Sequence, residues 1–193
     1  MKDNIEKKYW DNWYKKGGTS GQGSEGELQI YKINYINNIL NKFDCKNVFD
    51  FGCGDGTLAK GIKSKYNGID ISNEAIEKCK KVCPQHQFNQ GHFEEQNIKG
   101  YDCVMCIDVL YHIMEDGVFE KTLENIFNSE AKIIILYTIQ SKHIVEEKRY
   151  ENVCINRRDL GKYLPKYYDK YELIEVKDPV GISAASFMVF KRK

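Results

Sequence analysis

The sequence predicts an α/β fold in which helices cover both faces of a mostly parallel sheet. Short apolar runs alternate with segments of helical periodicity, as in β-α-β winding. One of these runs, 47–51, leads directly into a glycine-rich turn at 52–56. The chain closes with two extended runs, 171–178 and 185–191, so an antiparallel hairpin is expected at one edge of the sheet.

Each element is predicted from its own pattern. Within 1–16, four aromatic residues from Tyr9 to Tyr14 are spaced as on one face of a helix. The following segment, 17–26, is too rich in glycine for a regular element. The remaining predicted elements are helices over 27–42, 56–64, 73–82, 116–128 and 157–164, and strands over 47–51, 66–70, 86–89, 102–108, 132–137, 171–178 and 185–191.

Composition excludes several classes of protein. The 193 residues suit a single domain with a full core, and 29 Lys and Arg against 28 Asp and Glu leave a charge of +1. A nucleic-acid partner is not expected, because such proteins usually carry a basic face. The longest aliphatic stretch, Ile133 to Leu136, is too short to span a membrane, and no signal-like run occurs near the start. A cytoplasmic protein with reduced cysteines and no metal site is therefore expected.

The segment from Val48 to Thr57 carries the most specific pattern. Asp50 is followed by glycines at 52, 54 and 56, which gives D-x-G-x-G-x-G. Glycine lets the backbone turn tightly between strand and helix and pass close to a ligand. A dinucleotide fingerprint, G-x-G-x-x-G, would need a glycine at 57, where this chain has threonine.

A second acid ends the next predicted strand. Asp70 follows the glycine turn by about twenty residues, the distance at which a carboxylate commonly binds a ribose diol. A carboxylate can accept both hydroxyl hydrogens of such a diol. This feature alone is shared by nicotinamide and S-adenosylmethionine sites, so it leaves both open.

Together, the glycine turn and the two acids resemble motif I and its partner acid in class I S-adenosylmethionine (SAM) dependent methyltransferases. The resemblance implies a Rossmann-like, seven-stranded sheet with a C-terminal antiparallel hairpin, and SAM as cofactor. It implies that Asp50 lies near the ammonium group of SAM and that Asp70 holds the ribose. The other positions implied to contact the cofactor near these acids are Gly52, Cys53, Gly54, Gly56 and Ile71.

Two later segments extend the resemblance. After the third strand, His92 stands where much of the family has an Asp that binds adenine, and Phe93 would offer a backbone amide and an apolar wall. After the fourth strand, Asp108 would close the site beneath the sulfonium. His112, whose ordinary pKa of ~6.5 suits a base at neutral pH, would face the acceptor. A helix-capping or packing role for His112 stays open.

Most of the chain up to about residue 140 is similar to a subset of small bacterial methyltransferases associated with surface-polysaccharide assembly. The segments that carry this resemblance are 9–14, 17–26, 31–32 and 108–120, with Tyr137 at the end of the fifth strand. A Gly/Ser segment between two helices suits a lid, so 1–45 is predicted as a lid and substrate segment of the SAM-binding core, 46–193, in a single domain. Lys32 would meet either the SAM carboxylate or a substrate phosphate. The predicted substrate contacts are Tyr14, Ser20, Ser24, Tyr111 and Tyr137.

The resemblance implies methyl transfer to a small polar acceptor. The leading hypothesis is O-methylation of a nucleotide-linked sugar or a phosphoramidate-type precursor of a surface glycan. Methylation on nitrogen and a non-catalytic, regulatory SAM-binding protein are alternatives. A nicotinamide-dependent oxidoreductase is a third, and both the glycine spacing and the terminal hairpin argue against it.

Overall fold

The computed structural model of the chain describes residues 5–139, 149–150, 154–178, 181 and 183–193. Four α-helices are present in these residues: α1 (Ile5–Lys15), α2 (Gly26–Lys42), α3 (Asn73–Val82) and α4 (Asp116–Phe127). The strands are β1 (Asn47–Phe51), β2 (Lys65–Asp70), β3 (Gln87–Gln90), β4 (Cys103–Ile107), β5 (Ile133–Ile139), β6 (Arg149–Tyr150), β7 (Ile155–Asn156), β8 (Tyr171–Lys177) and β9 (Ala185–Arg192).

Seven of the strands form one sheet, in the order β3-β2-β1-β4-β5-β9-β8. The first five are parallel, whereas β9 is antiparallel to both β5 and β8. β6 and β7 form a separate antiparallel pair. The seven-stranded Rossmann-like sheet with its C-terminal hairpin, predicted above, is thereby confirmed.

The central strands are buried on both faces, which explains their continuous apolar character. In β4, Cys103 belongs to the hydrophobic core on one face of the sheet and Cys106 to the core on the other. The odd spacing of these cysteines predicts opposite faces, because side chains alternate along a strand. In β1, Val48 and Phe51 are likewise divided between the two cores.

Two predicted helices are wrong. In place of a helix over 56–64 there is one 3₁₀ turn, Ala59–Gly61, after a glycine turn whose last glycine, Gly56, has φ +83°. In place of a helix over 157–164 there are two 3₁₀ turns, Leu160–Lys162 and Leu164–Tyr167. The Asp159 side chain accepts a hydrogen bond from the Gly161 amide, and this local bond competes with helical pairing.

The topology places the site. From β1 the chain continues outward to β2 and β3, whereas from β4 it continues outward to β5 on the other side, so the loops after β1 and β4 diverge and leave a crevice. α1 and the segment that follows it lie over this crevice, and α1 packs on α3. None of the helices in the described part of the chain is both long and apolar enough to cross a membrane.

Candidate active site

A cavity of about 320 Å³ opens at the carboxyl ends of β1, β2 and β4. α1 and the Gly/Ser segment form one wall, and the glycine turn and the loop after β4 form the others. This size is typical of a pocket for a small molecule. The predicted site residues that line it are Tyr14, Ser20, Ser24, Asp50, Gly52, Cys53, Gly54, Asp70, Ile71, Phe93, Asp108, Tyr111 and His112.

The glycine turn has a backbone that other residues would strain. Gly52, Gly54 and Gly56 all have positive φ, at +84°, +57° and +83°. A Cβ on Gly52 would lie 2.1 Å from Cγ2 of Val109, and one on Gly54 would lie 2.2 Å from Oγ of Ser20. Side chains at these positions would therefore clash with the cavity walls as well as strain the turn.

Asp50 and Asp70 are two buried acids on the floor of the cavity. Asp50 Oδ2 accepts a hydrogen bond from the Tyr66 hydroxyl, whereas Asp50 Oδ1 has no donor among the described residues. Asp70 accepts from the amides of Gly54 (3.0 Å) and Ser72 (2.9 Å). Burial raises the pKa of Asp50 to about 7, and the charge of Asp70 adds to this effect while the Tyr66 hydrogen bond opposes it. Burial likewise raises the pKa of Asp70 to about 6, against its backbone hydrogen bonds.

These raised pKa values make the stability of the ligand-free protein depend on pH. The ordinary pKa of Asp is 3.8, so between about pH 4 and 7 the folded state binds more protons than the unfolded state. The free energy of unfolding should therefore fall as pH rises through this window. Asp50→Asn removes one titration, so denaturant melts should show a flatter pH slope. At pH ~8 the variant should be more stable by on the order of 1–3 kcal/mol.

Asp44→Asn is the matched control, since Asp44 is exposed and also lies just outside β1. This variant should keep the wild-type pH slope between pH ~4 and ~7. An Asp50→Asn protein with the wild-type slope would show that Asp50 is ionised across the whole window, and would contradict the prediction.

His112 lies in a 3₁₀ turn after β4, and two contacts with distant segments hold its ring. Its Nδ1 is 2.7 Å from the backbone carbonyl oxygen of Cys154, and its ring meets that of Trp10 edge-on at a centroid distance of 4.9 Å. Since a carbonyl oxygen only accepts, Nδ1 carries the hydrogen, and the neutral imidazole has its lone pair on Nε2. Burial lowers the pKa of His112, against the Cys154 hydrogen bond and the charge of Asp108.

Asp108 has φ +60°, an uncommon conformation for a non-glycine residue. Its carboxylate accepts a hydrogen bond from the Tyr111 hydroxyl at 2.9 Å and forms an ion pair with Lys32. Lys32 is 1% exposed, and its Nζ lies 5.0 Å from the ring centroid of Tyr137. The described residues that line the cavity include neither Lys32 nor Tyr137. Lys32 thus reaches the site through Asp108, and its predicted contact with a SAM carboxylate or a phosphate stays a prediction.

The front segment is anchored on the glycine turn. The Ser20 amide and hydroxyl donate to the two carboxylate oxygens of Asp55 at 3.1 and 2.8 Å, and the Ser20 hydroxyl accepts from the Asp55 amide. The Tyr14 hydroxyl lies 3.3 Å from Ser20 Oγ. Ser20 therefore has a structural partner in addition to the substrate contact predicted for it. The predicted division of the chain at residue 45 stays a prediction.

The structure places His92 beside the cavity and not on its wall. Its Nδ1 is 3.7 Å from the Glu94 carboxylate, and Glu94 lines the cavity. Glu94, which was not predicted from the sequence, is therefore a second candidate for the adenine contact. Glu6 on α1 was missed as well. Its spacing of four residues from Trp10, on the same helical face, is the signal that could have identified it.

A methyltransferase-domain family model matches residues 42–177, more than half of the chain. Ubiquinone biosynthesis O-methyltransferase from Nitrosomonas europaea is 29% identical over 101 residues, 45% of this chain and 41% of the relative. The enzyme of the same name from Glaesserella parasuis is 23% identical over 159 residues, 75% of this chain and 65% of the relative. The chain thus spans less than two thirds of the length of either relative.

Two solved structures have the same fold. N-methyltransferase NodS from Bradyrhizobium japonicum, in complex with S-adenosylhomocysteine (SAH), has a TM-score of 0.75 at 11% identity, with 98% of this chain and 99% of that chain covered. Magnesium protoporphyrin IX methyltransferase from Synechocystis PCC 6803, with bound SAH, has a TM-score of 0.74 at 15% identity and the same coverage.

The residues present fit the cofactor of this family. Asp50 lines the cavity, and its Oδ1 is a buried acceptor without a donor among the described residues, which the ammonium group of SAM would satisfy. Asp70 keeps acceptor capacity for a ribose diol. The family match, the seven-stranded topology and this arrangement of acids leave one assignment: the chain belongs to the class I SAM-dependent methyltransferases, with SAM as the cofactor.

Proposed function

We propose that this protein is an O-methyltransferase that acts on a small, hydroxyl-bearing acceptor. The observation that carries the proposal is the tautomer of His112. Its Nδ1 donates to the Cys154 carbonyl, so Nε2 is the basic nitrogen. His112 lines the same cavity as the glycine turn and the two buried acids. A donor site and a candidate base therefore share one cavity.

When bound, SAM supplies a methyl group already activated by the positive sulfonium. The chain must align the acceptor with that group and exclude water, and alignment of this kind can contribute roughly 7–11 kcal/mol. A hydroxyl acceptor also loses a proton as its oxygen is methylated. In the proposed reaction His112 Nε2 takes this proton, and a positioned base of this kind contributes about 10²–10⁴-fold.

Methylation on oxygen is supported by the names of the two curated relatives, both of which are O-methyltransferases. We further propose, as a more specific acceptor, a nucleotide-linked sugar or another surface-glycan precursor. Its support is the resemblance of the front segment, from Tyr9 to Lys32, to the subset of bacterial methyltransferases described above.

The test is incubation of the protein with methyl-labelled SAM and a small-molecule extract of its source cells, followed by mass spectrometry. We expect a labelled O-methyl product, whose mass and fragments identify the acceptor. A product labelled on nitrogen would overturn the O-methyltransferase proposal and leave methyl transfer in place. SAH binding in calorimetry without any labelled product would favour a non-catalytic, SAM-binding protein.

A further inference from the structure

Glu6 is a buried acid at the acceptor side of the cavity. It lies in the first turn of α1, is 8% exposed and lines the cavity. Its Oε1 accepts a hydrogen bond from the Met114 amide at 2.8 Å. α1 lies outside residues 42–177, so the family match does not account for this acid.

Three observations place Glu6 near His112. Met114, whose amide Glu6 binds, is two residues after His112. Trp10, one turn after Glu6 on the same helical face, packs on the His112 ring. Burial raises the pKa of the Cys154 thiol and the nearby charge of Glu6 adds to this effect, so Glu6 also lies near the residue whose carbonyl holds His112. The acid and the candidate base therefore belong to one end of the cavity.

The surroundings of Glu6 indicate which chemistry it can bind. Tyr9, Trp10 and Trp13 line the same wall of the cavity, and aromatic faces suit a flat ring. The Met114 amide occupies one carboxylate oxygen of Glu6, and a carboxylate has further acceptor sites. An acceptor that is bound here thus meets an aromatic wall and a negatively charged hydrogen-bond acceptor.

We propose that Glu6 is a specificity-determining residue that binds a second hydroxyl of a ring-shaped diol acceptor, next to the hydroxyl that faces His112. The inference rests on the proposed function, because it takes the His112 end of the cavity as the acceptor site. The feature recognised would be a pair of neighbouring hydroxyls on a ring. Aromatic diols and sugar diols both have this feature.

The first experiment compares catechol with phenol as probes for binding to the SAH-saturated protein, measured by calorimetry. Catechol should bind at least about tenfold tighter than phenol, because its second hydroxyl donates to a buried charge. Glu6→Gln keeps an oxygen for the Met114 amide but removes the charge, and should reduce this preference to within about threefold. The thermal midpoint and the SAH affinity of the variant should stay at wild-type values.

Asp11→Asn is the matched control. Asp11 also lies on α1 and binds the core, through the Ser72 hydroxyl at 2.7 Å, but it is not among the described residues that line the cavity. This variant should keep the wild-type preference for catechol. Binding of methyl α-D-glucopyranoside to the same two variants is then measured. If the affinity for only one of the two diols depends on Glu6, that diol identifies the acceptor class as aromatic or sugar.

A catechol preference that survives in Glu6→Gln, or the absence of measurable binding of both diols to the wild-type complex, would overturn the role of Glu6. Labelled methyl transfer from SAM to a bound diol or to a component of the extract tests the proposed function separately. Glu6-dependent binding without any methyl transfer would support the binding role and count against the enzyme proposal. The two failures are thus distinguishable.

Discussion

Replacing His112 by Asn should lower kcat for the labelled product by about 10²–10⁴-fold, because the acceptor hydroxyl loses its base. An Asn amide can still donate to the Cys154 carbonyl, so the local structure should be kept. SAH affinity in calorimetry should stay within about twofold of wild type, since none of the acids assigned to the cofactor is changed. A loss of turnover with unchanged cofactor binding separates a base from a cofactor contact.

The pH profile of kcat gives an independent reading of the same residue. Burial lowers the pKa of His112 below its ordinary value of 6.5, so the neutral, basic form should persist through pH ~7–8. The rate should fall only below pH ~6.5, as the imidazole gains a proton. This acid limb should disappear from the residual activity of the Asn variant.

His86→Asn is the control for this variant. His86 packs against the rings of Tyr66 and Phe88 and is not among the described residues that line the cavity. Its replacement should leave both kcat and the pH profile unchanged. If His112→Asn retains more than about a third of the wild-type kcat, His112 is a packing residue and the base lies elsewhere.

Replacing Asp70 should produce the largest loss of cofactor affinity. Asp70→Ala removes a charged acceptor for the ribose diol, and hydrogen bonds to charged groups contribute about 1.5–3 kcal/mol. The expected result is a rise in the SAH dissociation constant of about 10–150-fold, measured by calorimetry. Asp70 also binds the Gly54 amide, so part of the loss in the Ala variant comes from a less ordered glycine turn.

Asp70→Asn separates these two contributions. The Asn oxygen can still accept from the Gly54 amide, but the Asn NH2 group replaces the oxygen that accepts from the Ser72 amide, and the charge is lost. If the thermal midpoint of this variant stays at the wild-type value, the turn is kept and a large loss of SAH affinity is assigned to the diol. Asp44→Asn, at an exposed position outside the cavity, should bind SAH as the wild type does. SAH affinity unchanged in both Asp70 variants would contradict the ribose assignment.

Much of the fold could be predicted, because local patterns encode it. The helix predicted over 73–82 coincides with α3, where Ser72 caps the first turn by accepting from the Ala75 amide. The strand predicted over 47–51 coincides with β1, whose apolar run is bounded by the glycine turn. The terminal hairpin followed from two extended runs close together, which need only a short turn to pair.

The predictions that failed are those in which a local pattern had more than one solution. The residues over 157–164 have helical spacing, but the Asp159 side chain binds the Gly161 amide and the chain forms 3₁₀ turns instead. At residue 92 the predicted cofactor contact stays a prediction, and the packed structure adds Glu94 on the cavity wall as a second candidate. Order along the chain does not determine which of two neighbours faces a cavity.

The sequence by itself indicated the glycine turn and Asp70 as candidate cofactor contacts, since both follow directly from strands that their local pattern predicts. These strands, β1 and β2, are parallel neighbours, so their carboxyl ends meet at one edge of the sheet. The tertiary structure alone decided which residues meet at the proposed acceptor end of the cavity. Lys32 meets Asp108 from 76 residues away, the Cys154 carbonyl meets His112 from 42, and Glu6 meets Met114 from 108. Periodicity indicates which face of an element is buried, but the packing of distant segments selects the partner that meets it.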